Sequence, residues 1–96
     1  MDTRVRITMI IKKEGCFFKV IKARRTGDKY VFECVDLDSR QSHVLTYQML
    51  GMLEAFDAAA KRMKDPKDIL MLDLDNQGKW KIVTEEEIAR VTAARA

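Results

Sequence analysis

The chain has 96 residues, of which 47% are hydrophobic and 34% are charged, and this suits one small globular domain. The composition excludes a disordered chain, and no run of about 18 apolar residues is present that could form a transmembrane helix. Two cysteines exclude the disulfide framework of a small secreted domain, and the N-terminal residues lack the layout of a signal peptide. We therefore expect a single domain over residues 1–96, located in the cytoplasm, with no membrane contact.

Positive charge is concentrated at the N-terminal end. Residues 1–30 contain nine basic and three acidic side chains, whereas residues 31–96 contain nine and twelve. A net charge of +3 therefore conceals a strongly basic first third. This asymmetry favours an anionic partner more than the net charge alone does.

The first predicted elements are three antiparallel strands. Val5, Ile7, Met9 and Ile11 alternate with polar residues, which is the period of a half-buried strand. Residues 13–15 predict a three-residue hairpin loop, and residues 16–25 predict the second strand. A tight turn at Gly27 and Asp28 leads into a third strand, residues 30–37, which is rich in β-branched and aromatic side chains.

The second part of the chain combines helices with a hairpin. Residues 43–47 fit either a fourth strand or the lead-in to a helix. Apolar residues at helical spacing predict an amphipathic helix over residues 48–64, and residues 69–83 predict a hairpin. Thr84 and Glu87 have the spacing of a capping box, which predicts a short C-terminal helix. The fold class is α+β, an antiparallel β-meander followed by a helix, a β-hairpin and a short helix.

The register of the first hairpin decides which basic residues cluster. A three-residue loop keeps one face apolar and brings Arg6 opposite Lys22, and Arg4 opposite Arg24, on the other face. Like charges in cross-strand pairs repel, so an anionic partner or an acidic side chain would relieve them. Glu33 is the internal candidate, opposite Lys22 if the turn at Gly27 is tight. The predicted nucleic-acid-binding residues are Arg4, Arg6, Lys22, Arg24 and Arg25.

The first functional hypothesis is a non-enzymatic binding protein that contacts the nucleic-acid backbone through this basic sheet face. Single-strand binders add aromatic side chains on which bases stack. Here Phe17 is expected to face inward and Phe18 to be covered, which leaves Tyr30 as the aromatic residue beside the basic region. We therefore expect contacts to phosphates without sequence-specific readout.

The second hypothesis is a protein–protein interaction module, such as an accessory subunit, a regulator or an inhibitor, or a homodimer. Methionine-rich helical faces adapt to partners. An exposed strand edge is the other surface that such a module could use. The predicted interface on the helix consists of Met49, Met52, Phe56 and Met63.

The chain offers weak support for catalysis, a metal ion or a cofactor. The segment from Asp73 to Gly78 resembles the start of a calcium loop, but Thr84 stands where the bidentate carboxylate would be required. His43 is the only histidine, so a zinc site is not expected. A pair of His43 with Cys16 or Cys34 has no apparent orienting group. We therefore predict no enzyme activity, no metal and no cofactor.

Overall fold

The computed structural model describes residues 8–27, 29–47, 52–65 and 67–94, and it confirms the predicted α+β class. The described residues form six strands and two α-helices, which follow one another in the predicted order, with a short 3₁₀ turn (Leu74–Asn76) between the last two strands. The elements are β1 (Thr8–Lys13), β2 (Cys16–Thr26), β3 (Lys29–Asp36), β4 (Ser42–Tyr47), α1 (Met52–Lys61), β5 (Ile69–Asp73), β6 (Lys79–Val83) and α2 (Glu85–Ala94).

The strands form one sheet in the order β4-β3-β2-β1-β5-β6. All neighbouring pairs are antiparallel except β1 and β5, which run parallel, so the sheet is mixed. Residues 43–47, left open between strand and helix by the sequence, belong to β4. The helix predicted over residues 48–64 is observed as α1, and residues 48–51 lie outside the described part of the chain.

The predicted register of the first hairpin is wrong. Its loop has two residues, Glu14 and Gly15, because Lys13 pairs with Cys16 and Ile11 pairs with Phe18. Both loop residues have positive φ, 52° and 74°, which is the backbone of a type I′ turn and matches the twist of the strands. A three-residue loop would keep one sheet face apolar, which is required when only one face is covered. That premise fails here, since helices pack on both faces.

Two hydrophobic clusters lie on opposite faces of the sheet. On the α1 face, Ile11 and Leu72 are fully buried, and the Phe56 ring of α1 meets the Trp80 ring of β6 edge-on at 5.4 Å. On the α2 face, Ile88 of α2 packs with residues of β1, β2 and β5, which are Ile10, Phe17, Ile69 and Met71. Every residue of β5 is therefore buried, as expected for a strand covered on both faces.

A β-bulge interrupts β2 at Ile21. Val20 pairs with Cys34 and Lys22 pairs with Glu33, so Ile21 has no partner on β3. Such an extra residue shifts the alternation of side chains beyond it. The pair of Lys22 with Glu33 confirms the tight turn predicted at Gly27, where φ is 65°.

The two connections at one end of the sheet are joined by Asp75. Its carboxylate accepts the main-chain N–H groups of Glu14, at 2.6 Å, and of Gly15, at 2.9 Å. These bonds, from Gly15 first and then from Glu14, hold the pKa of the Asp75 carboxyl below its ordinary value. The segment that resembles a calcium loop thus serves as a clasp between the first hairpin and the β5–β6 connection.

The C-terminal helix begins with the predicted capping box. The Thr84 N–H donates to Glu87 Oε2, and the Glu87 N–H donates to Thr84 Oγ1, each at 3.1 Å. Two N–H groups that the helix itself cannot satisfy are therefore bonded. Within the described residues, neither helix has the length and apolar content needed to cross a bilayer.

Candidate functional site

The sheet face that carries α2 continues beyond that helix onto β2, β3 and β4, where it is open. Residues directly opposite each other in an antiparallel pair share a face, so the ladder fixes which side chains lie there. Lys19 pairs with Ile10 and with Val35, which places it on the α2 side of the sheet. The exposed basic side chains that β2 and β3 place on this side form what we call the cationic face: Lys19, Lys22, Arg24 and Lys29.

The bulge at Ile21 creates this arrangement. In a regular strand, Lys19 and Lys22 would lie on opposite faces, because side chains alternate at every residue. The extra residue at Ile21 brings Lys22 and Arg24 to the side already occupied by Lys19. Ile21 itself is 64% exposed and lies between Val20 and Lys22 along the strand.

The cationic face has an excess of positive charge. Within the described parts of β2, β3 and β4, Glu33 is the one carboxylate that the ladder places on this side, opposite Lys22. On the other flank of Glu33 stands Val44 of β4, which is 65% exposed. One carboxylate among four cations leaves most of them free for an anion from outside.

No aromatic ring among the described residues is exposed on the cationic face. Phe17 lies on this side of the sheet but is buried beneath α2, and Phe18 is buried on the other side, so the expected burial of both is confirmed. The Tyr30 ring lies on the α1 side, stacked on Phe32 with the ring centroids 6.4 Å apart. The face therefore offers charge and aliphatic surface, without a stacking platform.

Two of the five predicted nucleic-acid-binding residues are placed on the cationic face. Lys22 and Arg24 are exposed on the cationic face. Arg4 and Arg6 lie outside the described residues, and their predicted pairing with β2 was derived from the register that is wrong. Arg25 pairs with Tyr30 through its backbone, and its side chain is outside the described atoms.

Sequence reasoning missed Lys19 and Lys29. The predicted three-residue loop puts Lys19 on the apolar side of the sheet. The bulge that brings Lys19 and Lys22 to the same face has no clear sequence signal. Lys29 could have been found, because a two-residue turn at 27–28 pairs it with Thr26, two residues beyond Arg24 on the same strand.

The predicted helical interface is partly used inside the domain. Phe56 is half-buried with its ring against Trp80, and Met63 is half-buried just beyond the end of α1. Met49 lies outside the described residues, and Met52 is described by its backbone alone. The helix thus offers a smaller described apolar surface than its sequence suggests.

Cys34 and His43 are opposite each other on β3 and β4. The Cys34 thiol donates to the main-chain oxygen of His43 at 3.5 Å, and the imidazole of His43 lies edge-on to Phe18 at 5.2 Å. Burial raises the pKa of the Cys34 thiol. Nucleophilic catalysis uses the thiolate, so this environment favours the inert form of the sulfur.

The aspartates of the turns have local structural partners. The Asp36 carboxylate accepts the N–H groups of Asp38 and Ser39, and buried Asp73 forms an ion pair with Lys81 at 3.2 Å. Among the described residues, no group of three or more histidine, cysteine, aspartate or glutamate side chains has metal-binding geometry.

Comparison with known proteins finds no match: no family model, no curated protein and no solved structure resembles this chain.

Proposed function

We propose that the protein is a non-enzymatic binding protein whose cationic face contacts the phosphate backbone of nucleic acid. The observation that carries this proposal is the excess of exposed cations on one open sheet face, with Glu33 as the internal counter-charge. Exposed basic clusters of this kind supply the sequence-independent part of nucleic-acid binding.

The spacing of the cations favours a linear polyanion over a small anion. Lys22 and Arg24 occupy alternate positions of β2, about 6.6 Å apart along the strand, and Lys29 continues the same row across the turn. A small anion touches one or two of these side chains, whereas a chain of phosphates running along β2 reaches all of them. The absence of an exposed ring on the described part of the face favours backbone contact over base stacking.

The aliphatic residues on the face are compatible with this partner. Ile21 and Val44 are about two-thirds exposed and flank the cations without adding negative charge. Sugar and base edges of nucleic acid contain apolar surface that such side chains can contact. The face is therefore a mixed surface in which charge supplies affinity and the aliphatic groups fill the gaps.

The test is fluorescence anisotropy with labelled single-stranded and duplex oligonucleotides across a salt series. If about four phosphates are neutralised, affinity should fall roughly 50–150-fold between 50 and 200 mM salt. The variant Lys22→Glu/Arg24→Glu should abolish most of the binding. An affinity that ignores salt, or a variant that binds as well as wild type, would refute the proposal.

A matched control separates this face from net charge. Lys64→Glu/Lys67→Glu changes the net charge by the same amount, and both residues are exposed in the connection between α1 and β5. We expect this control to retain most of the affinity, because long-range charge contributes less than direct contact. Equal losses in the two double variants would show that overall charge, rather than the cationic face, drives binding.

A further inference from the structure

Strand β4 ends the sheet, and its outer side has unpaired backbone groups. Within the described chain, β3 is its only partner strand. At the start of this ladder the Asp36 N–H donates to the Gln41 main-chain oxygen. Because antiparallel ladders alternate, Ser42, Val44 and Thr46 then direct their N–H and C=O groups away from β3. The edge therefore presents a row of free donors and acceptors.

The side chains of β4 do not protect this edge. The strand reads Ser-His-Val-Leu-Thr-Tyr and contains no lysine, arginine, aspartate, glutamate or proline. At the opposite edge of the sheet, β6 carries Lys79 and Lys81, both exposed. Charged residues are the usual means by which edge strands avoid pairing with other chains. Of the two edges, β4 is therefore the one suited to strand addition.

We propose that β4 pairs with β4 of a second copy of this chain, antiparallel and about a two-fold axis at Val44. In this register Val44 faces its own symmetry mate and Ser42 faces Thr46 of the other copy, so every outward backbone group finds a partner. Side chains of the same sheet face meet, as the pleat requires. A shift by one residue would place Val44 against the opposite face.

A second copy fits the charge of this edge. No ionised side chain of β4 meets its equivalent across the axis, and the cations of the face lie on β2 and β3, away from the contact. The six strands of each copy would then form one continuous sheet. With neighbouring strands about 4.8 Å apart, the two β2 strands lie about 24 Å apart on the same side. The inference does not depend on the proposed function, but it would join two cationic faces into one surface.

Sedimentation velocity of the chain without nucleic acid tests this proposal. We expect the chain to shift from monomer to dimer as its concentration rises from about 1 to 100 µM, since a dimer forms by mass action. Val44→Lys places two lysines together on the axis, so it should weaken dimerisation at least tenfold. Thr46→Lys serves as a second edge variant and should act in the same direction if Val44→Lys impairs folding.

Ile21→Lys is the matched control. Ile21 and Val44 are almost equally exposed, at 64% and 65%, but Ile21 lies on an interior strand. We expect this variant to dimerise like wild type. A chain that stays monomeric throughout the range, or a dimer that tolerates both edge lysines, overturns the proposal. The Lys22→Glu/Arg24→Glu variant should still dimerise, so a failure here is distinct from a failure of nucleic-acid binding.

Discussion

The two halves of the sheet differ in how their faces are covered. The half formed by β1, β5 and β6 lies between α1 and α2, and all of β5 is buried. The half formed by β2, β3 and β4 leaves most of its α2 side open, with Phe17 of β2 beneath α2, and β4 alternates between exposed and half-buried residues. We infer that the covered half contributes most to folding stability, while the open half presents side chains to partners at little cost to stability.

The largest loss of stability is expected in the covered half. Leu72 of β5 is fully buried in the cluster on the α1 face, next to Ile11 in the parallel ladder. Leu72→Ala removes apolar contacts and leaves a cavity, so it should lower the free energy of unfolding by about 2–5 kcal/mol. Urea denaturation measures this, and a loss below about 1 kcal/mol would contradict the assignment of the core to this half.

A smaller loss is expected from an ion pair in the same half of the sheet, on the opposite face from Leu72. Asp73 is 3% exposed, and its Oδ1 has no hydrogen-bond partner among the described residues. Its Oδ2 forms an ion pair with Lys81. Lys81→Met leaves a buried carboxylate without that partner. We expect a loss of about 1–2 kcal/mol, below the value for a fully buried pair because Lys81 is half exposed. Lys64→Met, at an exposed position in the connection between α1 and β5, is the control, and an equal loss there would assign the effect to charge in general.

The clasp at Asp75 should make a smaller, pH-dependent contribution. Its folded-state pKa lies below the unfolded value, so its stabilisation is complete above the unfolded pKa and is lost as the pH falls through the folded pKa. Asp75→Asn should lower the melting temperature at neutral pH and remove this part of the acid dependence below about pH 4. Urea midpoints from neutral to acidic pH measure the effect, with Asp57→Asn on α1 as control. Parallel pH profiles for wild type and Asp75→Asn would contradict it.

The smallest effect is expected in the open half. Ile21→Thr keeps the branched β-carbon at an exposed bulge position, so the free energy of unfolding should change by no more than about 0.5 kcal/mol. A loss above about 1 kcal/mol would show that Ile21 supports the fold, and the contrast between the two halves would fail.

Local patterns predicted most elements of this fold. Alternation identified the strands of the meander, helical spacing identified α1, and the Thr84 and Glu87 pair identified the start of α2. These features depend on neighbouring residues, so a short window of sequence contains them. The tight turn at Gly27 was predicted for the same reason and determined the pairing of Lys22 with Glu33.

Long-range features escaped prediction because they depend on elements distant in the chain. The parallel pairing of β1 with β5 brings helices onto both faces, and this coverage invalidated the choice of a three-residue first loop. The sequence places Asp75 within the predicted hairpin of residues 69–83, whereas its hydrogen-bond partners are 60 and 61 residues away. For the candidate site, Lys22 and Arg24 were identified, but the bulge that adds Lys19 depends on the register between β2 and β3.

The pairing of β1 with β5 has a consequence for synthesis of the chain. Strands β1 to β4 leave the ribosome before β5. Until β5 follows, the edge of β1 that contains Ile10 and Ile11 has no partner strand. At about 5–20 residues per second, this interval lasts several seconds, during which an apolar strand edge is open to wrong partners. The edge of β1 that β5 covers in the folded protein therefore stays exposed until β5 has been synthesised.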